Sequence, residues 1–282
     1  MTIENVSDTA RWVAVYRAME TERPDALFKD PYAKRLAGEQ GEAIVNGIKR
    51  GRQMAWAMIV RTQVFDEFIM GAIRDGADTI VNLAAGLDAR PWRMDLPSTL
   101  RWVDVDLPGI LNYKTDMMKG EKPRCRYEAV TTDLTDRAAR QALFQRLGAE
   151  SKRVLVVTEG LLIYLTEEQV AALADDLHAA PSFTWWTIDL ASPMLLKMMH
   201  RWLKSPSLKQ NAPFKFGPEQ STEFFRPHGW RVKEWRSSID ESTRLDREMA
   251  MMWMMKLFGF FQSAKKKEQV RRMTMFVLFE RA

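Results

Sequence analysis

The sequence predicts an α/β fold built on an open, mostly parallel sheet, and three observations predict it. Short β-compatible runs alternate with helix-period segments between residues 54 and 192. The run Thr79 to Asn82 passes through Leu83 into the small residues Ala84, Ala85 and Gly86. Two further runs end on acids, RWVDVD at Asp106 and RVLVVTE at Glu159. Small residues after a strand let the backbone approach a ligand at the carboxyl edge of such a sheet, and tight helix-on-sheet packing asks for the same residues.

The elements follow in order. Residues 8 to 22 place Trp12, Val13, Tyr16 and Met19 at helical spacing, with Thr9 available as a cap. Asp30-Pro31 starts a second, short helix through Leu36, which Gly38 and Gly41 end. A longer helix from Met54 to Arg74 puts Phe65, Phe68, Ile69, Ala72 and Ile73 on one face, with Arg61 on the same stripe. An arginine there wants an anion, either a ligand or a protein carboxylate. After the strand at Thr79, a second runs from Arg101 to Asp106, a third from Cys125 to Thr131, a fourth from Arg153 to Glu159 and a fifth from Thr184 to Leu190. A carboxylate about twenty residues beyond a glycine turn grips the two hydroxyls of a ribose, so Asp106 is the preferred ribose ligand and Asp104 the fallback. Asp133 serves either as a helix cap or as an acceptor for an adenine amine. Thr166 caps the helix that begins TEEQV. From Pro193 to Arg226 the regular pattern dissolves; Gly229 to Arg236 and Met273 to Glu280 read as two last strands, with a long Met-rich helix between them.

Composition excludes several classes. At 282 residues, 46% apolar and 28% charged, the chain reads as one globular domain, and no run approaches the roughly eighteen apolar residues of a membrane span. The N-terminus lacks the apolar core of a secretory signal and there is one cysteine, Cys125, so a cytoplasmic location is expected. The net charge of +5 is spread among 37 acids, and the one cluster, KKKEQVRR at 265 to 272, reads as a solvated helix end. Neither a nucleic-acid nor a membrane partner is expected. His178, His200 and His228 have no metal-ligand spacing, so no metal is expected.

Five strands alternating with helices, a two-stranded finish and acids closing strands two and four are the outline of a Rossmann-like class I S-adenosyl-L-methionine (SAM) dependent methyltransferase. More closely, TARWVAVYRAMETERPDALFKDPYAKRLAG, RTQVFDEFI, NLAAGLDARPWRM, WVDVDLPGILNYK, TTDLTD and TEGLLIYLTEEQV resemble the leucine carboxyl methyltransferase-like family, including its bacterial branch and the tetracenomycin-type polyketide carboxyl O-methyltransferases. These stretches span residues 8 to 175 in order. The resemblance implies a seven-stranded sheet with an antiparallel last strand, an N-terminal helical cap (1–53), a cofactor-binding core (54–192), a lid insertion (193–226) and C-terminal strands and helix (227–282). It assigns Arg61 to the methionine carboxylate of SAM, Ala84, Ala85 and Gly86 to the close backbone approach, Asp106 to the ribose, Asp133 and Leu134 to the adenine, and Glu159 to the methionine end. Arg17 falls where the family has a basic residue near the cofactor. Where the family often reads LGAGxD, Ala84 takes the first glycine's place.

The implied activity is O-methylation of a carboxylate or acidic phenol on a small molecule, giving S-adenosyl-L-homocysteine (SAH), with Tyr164, Tyr16 and Arg11 or Arg17 orienting the acceptor. A carboxylate is already ionised at pH 7 and needs no general base. His228, in RPHGW, is the best candidate base, against a plain turn histidine. TEGLLIY lacks the Asn/Asp-Pro-Pro-Tyr turn of nitrogen methyltransferases, and AAGLDAR lacks the G-x-G-x-x-G of nicotinamide dehydrogenases. A SAM-binding sensor and a methyltransferase for a protein C-terminal carboxylate are the alternatives. Oligomeric state is open.

Overall fold

The central strands form where the chain is most aliphatic. β1 (Thr79–Leu83) and β4 (Val154–Thr158) are buried at every position, as strands covered on both faces must be. In the computed structural model, which describes residues 6–48, 51–202, 213–249 and 263–282, they lie at the middle of a seven-stranded sheet. With β2 (Arg101–Asp106), β3 (Arg126–Thr131), β5 (Phe183–Ala191), β6 (Trp230–Ser237) and β7 (Thr274–Arg281) the order is β3-β2-β1-β4-β5-β7-β6. The first five are parallel, and β7 runs antiparallel between β5 and β6. β1 is flanked by β2 on one side and β4 on the other, so the strand order reverses there and a crevice opens beyond its carboxyl end.

The helices follow the expected periods, with instructive departures. α1 (Val6–Thr21) begins before Thr9, so Thr9 lies inside the helix instead of capping it. α2 (Ala33–Gly47) continues past Gly41, where a stop was expected. Gly38, non-helical at φ +60, interrupts the helix as expected of a stop, whereas a Cβ at Gly41 would stand 3.0 Å from the Arg11 carbonyl, so Gly41 serves close packing of α2 on α1 and not termination. α3 (Ala55–Arg74) buries Phe65, Phe68, Ile69 and Ala72 as expected. α4 (Arg90–Arg93) and α5 (Pro108–Met117) flank β2, and α6 (Arg137–Glu150) follows β3. α7 (Glu167–His178) starts in a capping box of Thr166 and Gln169. The segment after β5, expected to be irregular, opens with helix α8 (Pro193–Trp202) and reaches β6 through a 3-10 turn, Ser221–His228. α9 (Ser238–Arg244) and α10 (Ala264–Arg271) lie between β6 and β7, and α10 has no buried residue, as expected of a solvated basic run. Most of the expected Met-rich helix, from residue 250 to 262, falls outside the described residues.

One apolar cluster, including Phe144, Leu173 and Trp186, fills one face of the sheet, and another, including Phe65, Phe68 and Trp102, fills the other. A third joins α1 and α2 to Trp92 of α4 and lies over the carboxyl end of β1. No helix among the described residues is long and apolar enough to cross a membrane.

Candidate functional site

The turn after β1 is shaped by two left-handed residues, Ala84 at φ 53 and Gly86 at φ 51. A Cβ at Gly86 would come 3.1 Å from the Ala10 Cβ, so glycine there satisfies both the backbone angle and the close approach of α1. The Gly86 N–H donates to Asp106 Oδ2 at 2.6 Å and the Leu107 N–H to Asp106 Oδ1 at 2.7 Å. Burial pushes the Asp106 carboxyl above its ordinary value, against the pull of those two N–H groups. Each oxygen keeps a lone pair, so the carboxylate can still accept from two hydroxyls. Ala84 adopts a conformation that costs an L-residue about 1–2 kcal/mol. Ala84→Gly is therefore expected to raise stability by about 0.5–1 kcal/mol, net of the extra chain entropy glycine loses on folding. A urea midpoint that stays put or falls would show that the alanine methyl makes compensating contacts.

Asp104 cannot serve as the fallback ribose ligand. It is fully buried and accepts from Asn82 (3.2 Å), Trp102 (2.9 Å), Lys114 (2.6 Å) and Tyr127 (2.8 Å). Its four donors use its acceptor capacity, leaving Asp106 as the acid open at the end of β2.

Beside Asp106, the strand ends carry a buried ionic network. Arg61 donates from Nε to Glu159 (3.0 Å) and from Nη1 to Asp189 (2.9 Å). Arg90 donates to Asp66 (2.6 Å), Asp88 (2.7 Å) and Glu159 (2.8 Å), and Arg93 grips both Asp66 oxygens at 2.7 Å. Arg93 also lies 4.0 Å from Asp30, which pairs with Arg17 at 2.8 Å. Four guanidinium groups thus face five carboxylates. Burial opposes ionisation of Asp88, but Arg90, with Lys114, Arg93 and Arg17 behind it, more than offsets this and holds the carboxyl well below the usual carboxylate range.

The sequence reading expected Arg61 and Glu159 in the site, and the fold brings them together. It missed Asp66, Asp88, Arg90, Arg93 and Asp189. A signal existed for Asp189, because it lies near the end of β5 as Asp106 and Glu159 lie at the ends of theirs. No local pattern marks Arg90 or Asp66 as partners.

The other expected site residues divide. Thr132 N–H donates to the Asp106 carbonyl at 3.0 Å, which sets the loop bearing Asp133 and Leu134 beside Asp106. Asp133 is exposed and accepts from the Thr135 N–H (2.8 Å) and hydroxyl (2.7 Å), while the cap of α6 is Asp136, so the cap reading of Asp133 is corrected. Leu107, 46% exposed, adds an apolar surface next to Asp106 that the sequence reading did not anticipate. Arg17 donates to the Leu87 carbonyl at 2.6 Å as well as to Asp30, which ties α1 to the turn. Tyr16 is a correction: it is fully buried, with its hydroxyl donating to the Gly51 carbonyl, so it anchors α1 within the core. Burial pushes its phenol up to about 12. Tyr164 stands close to the network, its hydroxyl bonded to Thr9; burial raises its phenol, with Thr9 and Arg61 opposing, so it is a neutral donor at pH 7. His228 pairs with Asp175 on α7 at 2.7 Å, outside this network. Among the described residues no group of three His, Cys, Asp or Glu side chains is arranged to hold a metal. One cavity of about 470 Å³ opens at the amino edge, beside Asp78, Thr99 and Arg101, and another of about 530 Å³ lies between Glu20, Trp56 and Arg247. Neither is lined by Asp106 or Glu159, so the site is located by its chemistry at the switch point.

Comparison with known proteins gives the family and the fold. The family model of leucine carboxyl methyltransferase matches residues 10–178, which include most of α1, Arg61, the β1 turn, Asp106 and Glu159. The chain belongs to this family. A protein of Parafrankia sp. (strain EAN1pec) named for SAM-dependent methyl transfer is 32% identical over 275 residues, covering 93% of this chain and 87% of the relative. A protein of Mycolicibacterium smegmatis with the same kind of name is 35% identical over 192 residues, covering 62% of this chain and 63% of its own length. Among solved structures, a DUF574 family protein from Streptomyces avermitilis superposes with a TM-score of 0.59 at 12% identity, covering 97% of both chains. A methyltransferase-named protein from Thermobifida fusca YX gives 0.58 at 13% identity, covering 95% of this chain and 94% of that one. These two likenesses show the fold.

The leucine carboxyl methyltransferase family member described here is thus a SAM-dependent methyltransferase with a Rossmann-like class I fold. Its residues fit the cofactor. Gly160, at φ +70, has no Cβ where one would press within 3.1 Å of Arg61 Nη1, and among the described residues no hydrogen bond reaches Arg61 Nη2. A guanidinium edge, an acid with spare acceptor capacity and a small-residue turn lie at the carboxyl ends of β4, β2 and β1, the edge where a zwitterionic nucleoside is met in such a sheet.

Proposed function

We propose that the enzyme transfers the methyl group of SAM to a carboxylate, or to an acidic hydroxyl, of a small molecule. One observation supports this reading most. The strand-end acids of the network are committed: Glu159 accepts from Arg61 and Arg90 on its two oxygens, and Asp189 from Arg61 and the Gly160 N–H. A carboxylate so engaged is a poor general base, so the nucleophile must arrive as an anion, which a carboxylate does at pH 7.

When bound, the cofactor supplies an activated methyl group on a sulfonium. The chain supplies geometry and dryness. Arg61 would hold the methionine carboxylate, Glu159 the same end of the molecule, and Asp106 the ribose hydroxyls. The Ala84–Gly86 backbone would lie against the cofactor, with Asp133, Leu134 and Leu107 around the adenine. Tyr164, a neutral hydrogen-bond donor, would orient the anionic acceptor. No base, metal, nucleic acid or membrane takes part in this reading. A cytoplasmic location goes with it, supported by a single, free and buried cysteine, Cys125.

Incubation with methyl-labelled SAM and a fractionated metabolite extract tests the reaction. A labelled product that releases methanol in mild alkali is a methyl ester and supports the carboxylate; an alkali-stable product points to the hydroxyl. Cofactor binding with no labelled product would favour a sensor. Tyr164→Phe is expected to lower turnover about 10- to 100-fold, the worth of a hydrogen bond to a charged group, while SAM affinity stays within about twofold. An unchanged rate removes Tyr164 from the mechanism.

A further inference from the structure

Asp189 lies outside the stretches that carry the family resemblance, yet it holds two of the site's parts in place. Its Oδ2 accepts from Arg61 Nη1 at 2.9 Å and its Oδ1 from the Gly160 N–H at 2.7 Å. One carboxylate therefore joins α3, the turn after β4 and β5 itself. Gly160 is pressed against the guanidinium so closely that a Cβ would stand 3.1 Å from Nη1, 3.5 Å from Nη2 and 3.6 Å from Cζ. With Nε held by Glu159 and Nη1 by Asp189, the planar fork has a single orientation, and its remaining amino group is presented in it.

The same carboxylate sets the charge. Four guanidinium groups against five carboxylates leave the network with one negative charge, and Asp106 stands beside it as a further acid. SAM carries a sulfonium, an ammonium and a carboxylate, one net positive charge; its thioether product carries none. A buried field of one sign discriminates between ligands that differ by one charge.

We propose that Asp189 is a positioning residue that orients Arg61 for the cofactor's carboxylate and biases the site toward the sulfonium cofactor over its thioether product. The inference rests on Arg61 as the carboxylate receptor. Its functional consequence is release of the product once the positive charge has left with the methyl group. Asp189→Asn keeps the shape, leaves the network neutral and removes that bias.

The test measures dissociation constants for SAM and SAH by calorimetry, without acceptor, on the wild type, Asp189→Asn and Asp189→Glu. A unit charge at about 8–10 Å and an effective dielectric of about 20–40 changes the affinity ratio about four- to thirty-fold. Asp189→Asn is expected to reduce the preference for SAM over SAH by that factor. Asp189→Glu, which keeps the charge, should preserve the ratio within about twofold even where both ligands bind more weakly. A merely structural role would weaken both ligands alike, so an unchanged ratio in Asp189→Asn overturns the proposal, as does a fall of the ratio in Asp189→Glu as large as that in Asp189→Asn. Should Asp189→Asn not fold, Glu159→Gln removes the same charge from the other side of Arg61; the same fall supports the proposal and an unchanged ratio overturns it. Retention of SAM binding by Arg61→Met would instead overturn the reading of Arg61, which keeps the two failures apart.

Discussion

Arg61→Met is expected to weaken SAM binding by about 100-fold and to lower the stability of the cofactor-free protein at the same time. The two effects have one origin. The guanidinium is 10% exposed and stands between Glu159 and Asp189, whose side chains are 13% and 18% exposed. Removing it leaves two nearly buried carboxylates without that counter-charge, and breaking such a pair from one side costs about 3–5 kcal/mol. The cofactor loses the charge-assisted contact between Nη2 and its carboxylate, worth up to about 3 kcal/mol, which is the hundredfold in affinity. Arg61→Lys restores charge without the fork, so it should recover part of the stability and little of the affinity. Calorimetry with SAM and urea unfolding without it measure the two separately. If Arg61→Met binds SAM as the wild type does, the carboxylate lies elsewhere and Arg61 is only a structural ion.

Arg90→Met is expected to cost as much stability without touching the cofactor. Arg90 side-chain atoms are 3% exposed and reach Asp66, Asp88 and Glu159 together, while its Nη2 also meets the Thr62 carbonyl at 3.3 Å. Asp66 retains Arg93, and Glu159 retains Arg61, but Asp88 keeps only the neutral Asn82 at 3.1 Å among its hydrogen-bonding side chains. A loss of about 3–5 kcal/mol follows, or roughly 10 °C in Tm for a chain of this size. The pH dependence carries the sign. A carboxyl depressed in the folded state contributes stability that is present above its unfolded pKa of about 3.9 and is lost as pH falls through the folded value. Asp88 is such a group. The deficit of Arg90→Met should therefore be fullest at neutral pH and narrow below about pH 4. A deficit that is equal at pH 3 and pH 7 would place the loss in packing. Arg271→Met, on exposed α10 and paired with Asp240 at the surface, is the control and should change stability by less than about 1 kcal/mol.

The strands, the turn and most helices were legible because their signals are local. RWVDVD alternates with a period of two and emerges as β2 between Arg101 and Asp106. Small residues after β1 and acids at the ends of β2 and β4 mark the crevice through residue type alone. Where the reading failed, a distant surface had overruled a local preference. Gly41 reads as a helix stop, yet α2 runs through it because α1 presses against it. Tyr16 carries the right chemistry to orient an acceptor, but its ring is sealed in the third core cluster and its hydroxyl taken by Gly51.

By itself the sequence determined the layer architecture, the strand that ends in the small-residue turn, the acids Asp106 and Glu159 at the ends of β2 and β4 and, through its motif stretches, the family and the cofactor. Only the tertiary structure decided what those groups touch. Arg61 meets Glu159 across 98 residues of chain and Asp189 across 128, because the order β1-β4-β5 sets the ends of β4 and β5 side by side beneath α3. Side-chain periods of 2 and 3.6 carry information over one element, whereas an ion pair is chosen by which strand ends the sheet brings within a few ångströms. The charge of the site, and hence its proposed preference for a cationic cofactor, belongs to that arrangement.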